Sequence, residues 1–109
     1  GDKNLTYTVP ANSDPKLLKS LIKASRKLDV REKIVLRPHT IITDDHVPFL
    51  NINIPAIDLI DFYFGSQDKL NDYWHTEQDS LDKISTDSLK ISGDITLEML
   101  RDLGAFIDF

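Results

Sequence analysis

The chain reads as a mixed α/β unit, and two features of its patterning say so. Three short runs, LTYTVP, KIVLR and PAIDLI, are rich in β-branched and apolar residues and are bounded by prolines or polar turns. Two longer stretches, one after Asp14 and one after Ser85, instead repeat apolar residues every three or four positions. At 109 residues the chain fits one domain with a modest core.

Taken in order, Leu5–Pro10 alternates polar and β-prone residues and stops at a proline, which predicts a short strand. Asp14 followed by Pro15 predicts a helix start, with a capping carboxylate before a proline in the first turn. Leu17, Leu18, Leu21, Ile22 and Leu28 continue the helical spacing, so the first helix is expected over Pro15–Leu28. Its opposite face carries Lys16, Lys19, Lys23 and Lys27, as solvated lysines do on an amphipathic helix. Lys33–Arg37 and Pro55–Ile60 are expected as buried strands of a sheet with helices on both faces. Between them, Asp44 or Asp45 is placed to cap one helical turn running towards Leu50. The last helix starts at Ser85 and ends near Gly104, with Leu89, Met99, Leu100 and Leu103 expected to face inward and Ser92, Gly93 and Thr96 to permit close packing. No internal repeat or low-complexity linker divides the chain, which is expected to be one domain or sub-domain over residues 1–109.

With 40% hydrophobic and 28% charged residues, four glycines and five prolines, the composition is that of a folding globular chain. The net charge of -5 conceals two unlike halves: residues 1–37 hold nine Lys/Arg against four Asp/Glu, and residues 38–109 hold four against fourteen. The basic part is largely the lysine face of the first helix, so no nucleic-acid partner is expected. No apolar run reaches membrane-spanning length, and GDKNLTYTVP has neither a basic nor an apolar leader segment, so no membrane partner is expected either. The absence of cysteine removes disulfides and thiolate metal sites and leaves the compartment open. A first residue other than Met is what processing, or excision from a longer chain, produces.

The chemistry is concentrated between Asp44 and Thr76, which hold two of the three histidines, the single tryptophan and six aspartates. His75 follows the third expected strand, where loops leaving strand ends form sites in open α/β sheets. Its imidazole is a good zinc donor, with Asp44, Asp45, Asp58 and Asp61 as carboxylate ligands or orienting acceptors. The competing reading is plainer: His75 joins Tyr73 and Trp74 in an exposed aromatic cluster, and the aspartates cap turns. One histidine is not a zinc motif. His46, at the mouth of the short helix, is expected to pack and hydrogen-bond rather than ligate, and His39 has no partner pattern. No Ser-His-Asp set, Cys-His set or phosphate loop can be assembled.

The ordered series TDDHVPFL, IPAIDLID, YWHT and DSLDKIS, followed by a closing helix, resembles the C-terminal part of glutaminyl-peptide cyclotransferases and of the related zinc aminopeptidases of peptidase family twenty-eight. The likeness covers about residues 39–103 and extends to the first helix. It implies the C-terminal half of a three-layer α/β/α sandwich with a mixed sheet. By the same resemblance His75 matches a zinc ligand, Trp74 the tryptophan lining the substrate pocket, and Asp44 a carboxylate of the active-site hydrogen-bond network. Asp58 stands where some cyclotransferases carry a second pocket histidine, and the doubled Asp44-Asp45 favours the cyclotransferase branch over the aminopeptidases, which more often have Ser-Asp-His. The family's other metal ligands and its catalytic glutamate come from an upstream half. The resemblance therefore implies a segment that binds zinc weakly or not at all by itself and is inactive alone. It further implies that the segment needs that half and an N-terminal peptide substrate, self-associates through uncovered strand edges, and derives from a secreted or periplasmic enzyme. A non-catalytic folding or interaction module is the reading of a different class.

Overall fold

The computed structural model describes residues 5–61, 77 and 80–104. Strand β1 (Tyr7–Pro10) pairs in parallel with β2 (Ile34–Arg37), Tyr7 opposite Ile34 and Pro10 opposite Arg37, and helix α1 (Pro15–Lys27) connects them. Every residue of β1 is buried, as expected for a strand flanked on both edges. Its second neighbour is the segment around Ile60: the Thr8 N–H donates to the Ile60 carbonyl at 2.9 Å in an isolated antiparallel bridge. The expected strand Pro55–Ile60 is thus reduced to a half-buried arm. It is tied at Ile60 and again at Ala56, whose carbonyl accepts from the Asp14 N–H at 3.0 Å.

Helix α1 begins as its sequence dictates. The Asp14 carboxylate accepts from the Leu17 N–H at 3.0 Å, and Pro15 occupies the first turn, where a missing N–H costs nothing. It ends one residue earlier than expected. Asp29 adopts φ 58, the Val30 N–H donates to the Ser25 carbonyl and the Asp29 N–H to that of Arg26, closing the left-handed C-terminal motif usually built on glycine. Lys16, Lys19, Lys23 and Lys27 lie exposed, as their spacing predicts.

Helix α2 (Val47–Asn51) is one short turn, stopped by the same motif with Asn53 at φ 64. Neither aspartate caps it: His46 holds the N-cap position without a side-chain bond, and the Asp44 carboxylate instead accepts from the Asp45 N–H at 2.9 Å.

Helix α3 (Thr86–Asp102) starts on a Ser85 cap to the Ser88 N–H and stops before Gly104 at φ 73, both as expected. Its buried face differs from the expected one. Ser88, Ile95 and Met99 are buried with Ile91 half-buried beside them, whereas Leu89 and Leu100 are exposed and Leu103 only half-buried. α3 packs on α1, and with Leu5, Tyr7, Val9, Leu21, Ala24 and Ile34 completes the core. The Tyr7 hydroxyl donates to the Ser92 hydroxyl, which donates in turn to the Ser88 carbonyl, so a polar chain passes from β1 into α3. Burial pushes the Tyr7 hydroxyl above its ordinary range.

Candidate functional site

The loop after β2 carries the Asp44-Asp45-His46 series, and three hydrogen bonds hold it against the end of β1. The Ala11 N–H donates to the Thr40 carbonyl at 2.6 Å, the Asn12 side-chain amide donates to the Ile42 carbonyl at 2.7 Å, and the Ile42 N–H returns to the Asn12 oxygen at 3.1 Å. Asn12 thus does for this loop what a neighbouring strand would do, and Ile42 is buried beneath it. Sequence reading missed Asn12. Its only local signal is an amide side chain just past a strand end, where such side chains commonly bond to backbone.

The 55–61 arm, fastened along β1, brings Asp58 to the same place. Its carboxyl lies against that of Asp44, with Asp45 and His46 close enough to act on its charge. His46 is 5% exposed, and its Nδ1 stands 3.9 Å from Asp58 Oδ2, beyond hydrogen-bonding distance. Neither His46 ring nitrogen nor Asp58 Oδ2 has a hydrogen-bond partner among the described residues. The expectation that His46 packs is met, and among the described residues its ring has no hydrogen bond.

Asp58 is consequently a weak acid. Burial, first, then the hydrogen bond and negative charge of Asp44 raise its pKa to about 6; the His46 imidazole opposes the rise, and Asp45 adds to it. Two carboxyls in contact cannot both ionise freely, so Asp58 keeps its proton up to a pH of about 6, where a solvated aspartate would already have lost it.

Of the residues singled out in the sequence, Asp44 and Asp58 come together, with Asp45 and His46 at the edge of the pair. Asp61 lies further along the same arm. Trp74, His75 and Tyr73 lie outside the described residues. Among the described residues no group of three or more His, Asp or Glu is arranged to hold a metal ion, so the Asp44–Asp58 cluster does not fit zinc by itself. No described helix is long and apolar enough to cross a membrane.

Comparison with protein families matches residues 1–100 to peptidase family M28. The chain belongs to this family. Among solved structures, the M28 chain is similar to a glutaminyl cyclase from an Acidobacteriales bacterium, with 40% identity and a TM-score of 0.80. The match covers 93% of this chain and 35% of that one, so the M28 segment spans about a third of the length of the cyclase it resembles. No curated protein matches it. The two-stranded parallel sheet with its helices is therefore part of an M28 fold, and the ordered motifs from Thr43 to Ser85 pointed to the right family.

Proposed function

We propose that this chain is the C-terminal segment of a zinc-dependent glutaminyl-peptide cyclotransferase, inactive alone, whose complete enzyme converts N-terminal glutamine to pyroglutamate and releases ammonia. The likeness to a glutaminyl cyclase over nearly the whole segment carries this reading. In the complete enzyme, β1, β2 and the antiparallel arm belong to a mixed sheet within a three-layer sandwich, and residues 1–109 form a sub-domain of it. The parent enzyme is secreted or periplasmic.

In the reaction the substrate's α-amino nitrogen attacks the side-chain amide carbon of its own glutamine. A carbon–nitrogen bond forms, the bond to the amide nitrogen breaks, and one proton moves from the attacking to the leaving nitrogen. Proton transfer of this kind is served by a group that titrates near the working pH. Asp44 belongs to the hydrogen-bond network that moves this proton together with an upstream glutamate. Asp58, held against Asp44 with its pKa near 6, keeps the network from taking up a second negative charge until the pH passes about 6. Asp58 also borders the substrate, and Trp74 lines its pocket, where a large ring with one polar edge excludes water from a small side chain. His75 is the residue of this segment that would hold zinc together with upstream ligands, and the ion would supply Lewis-acid polarisation of the amide carbonyl. The described residues alone do not make that site.

The second reading is an M28 aminopeptidase, favoured by the family itself, in which water replaces the internal amine and the product is a free amino acid. One assay separates the two. The segment joined to its upstream sequence is given zinc and either a glutamine-initiated or a leucine-initiated peptide. Ammonia from the first with no free amino acid from the second supports the cyclotransferase; free leucine without ammonia replaces it with the aminopeptidase. The segment alone is expected to release neither.

A further inference from the structure

His46 is a buried titratable side chain that neither reading employs. It starts α2, directly behind the Asp44–Asp45 turn, and its ring is all but closed to solvent. Both ring nitrogens lack partners among the described residues, and so does the Asp58 oxygen 3.9 Å away. Buried polar atoms are rarely left unmatched, and here the unmatched set contains a ring that donates and a carboxyl that accepts. A shift of about 1 Å brings them to bonding distance. Asn12 fixes the loop on one side, and the Thr8 and Asp14 bonds fix the 55–61 arm on the other, so the two groups are held facing each other.

We propose that His46 is a positioning residue: its buried imidazole pairs with Asp58 and thereby determines how the Asp44–Asp58 carboxyls hold their shared proton. Among the described residues, the groups acting on Asp58 are the Asp44 and Asp45 carboxyls from the loop before α2 and the His46 ring at its N-cap. Two of the three are carboxyls, and His46 is the only one that offers a nitrogen donor. Without it, the pair faces only like charge and keeps its proton to higher pH. With it, ionisation of Asp58 is favoured, because the imidazole opposes the rise that burial and the neighbouring carboxyls impose. The importance of this for turnover rests on the cyclotransferase reading, but the pairing itself does not.

The test therefore uses the segment alone and needs no activity. Three histidines make the imidazole nitrogens countable by NMR, and the aspartate carboxyl carbons are followed in the same pH series. In the wild type, His46 and Asp58 are expected to report shared titration steps, as coupled groups do. In His46→Gln, which keeps a donor but no titrating charge, the Asp58 midpoint is expected to rise by about half a unit or more. In Asp58→Asn, the His46 midpoint is expected to fall by a similar amount, because coupling between two sites is reciprocal. This second variant leaves His46 in place, so it decides the matter even if the first does not fold. An unchanged His46 titration in folded Asp58→Asn overturns the pairing, whatever the ammonia assay returns. No ammonia from the segment joined to its upstream sequence, with the reciprocal shifts present, overturns the cyclotransferase reading and leaves the pairing standing.

Discussion

Asp58 links the site to stability with a definite sign. Its folded-state pKa, about 6, lies above that of a free aspartate, so the native state binds more protons than the unfolded chain between roughly pH 4 and 6. Stability contributed by the protonated form is complete below the unfolded value and is lost as pH rises through about 6. Asp58→Asn removes the charge while keeping the shape, and it is expected to flatten this slope and raise stability at pH 7.5 by on the order of 1–2 kcal/mol. Urea midpoints at pH 4.5 and 7.5 check it; equal differences between variant and wild type at both pH values contradict the buried-acid assignment. Trp74→Ala, in the segment joined to its upstream sequence, is expected to lower kcat/KM for cyclisation about 100-fold, close to 3 kcal/mol of barrier. Near-normal turnover removes Trp74 from the substrate pocket.

Helices α1 and α3 show what periodicity can and cannot decide. α1 was legible from Asp14 to Lys27 because each local signal agreed: a bonded cap, a first-turn proline, one apolar stripe and lysines opposite it. α3 was legible in extent but not in orientation, since it carries apolar residues on two faces, Ile91, Ile95 and Met99 on one and Leu89, Leu97 and Leu100 on the other. What selects the buried face is tertiary: Ser92 accepts the Tyr7 hydroxyl, and Ser88 is buried with it, contacts no helical pattern encodes. The 55–60 run failed as a strand for a related reason. It bonds β1 at Ile60 and the entrance to α1 at Ala56, and β-propensity cannot distinguish two anchor points from a continuous ladder. Ile95→Ala is therefore expected to cost about 2–4 kcal/mol, and Leu97→Ala, exposed on the opposite face, less than about 0.5. Denaturant unfolding of the two variants distinguishes the faces. If both cost the same, the α1–α3 packing described above is wrong. Asp14→Ala is expected to cost about 1 kcal/mol through its lost cap.

At the scale of the molecule, the concentration of chemistry in one stretch and the spread of uncovered apolar surface share one explanation in the proposed reading. Leu36 in β2, Ile41 in the loop that follows, and Phe49, Ile52 and Ile54 in and after α2 are all exposed, and they lie along the segment that carries the aspartates. Single exposed hydrophobic residues are ordinary; five within nineteen positions beside the Asp44–Asp58 pair form an apolar surface that, in the reading proposed above, meets another part of the complete enzyme. β2 is bonded to β1 along one edge, and among the described residues nothing pairs its other edge. Paired surface charges do not compensate: Lys23–Asp102 and Lys27–Glu98 join α1 to α3 on the far side with their lysines largely exposed, where such bridges contribute little. The segment alone is accordingly expected to self-associate in a concentration-dependent way, through β2 and the apolar residues around α2. Light scattering after size exclusion, from micromolar to near-millimolar protein, measures this. Ile52→Lys places a charge in the centre of that surface without touching the α1–α3 core, and it is expected to shift the distribution to monomer while leaving helix content unchanged. A wild-type segment that stays monomeric over the whole range would mean that this surface is sufficiently solvated by itself, and that the upstream half proposed above serves chemistry rather than structure.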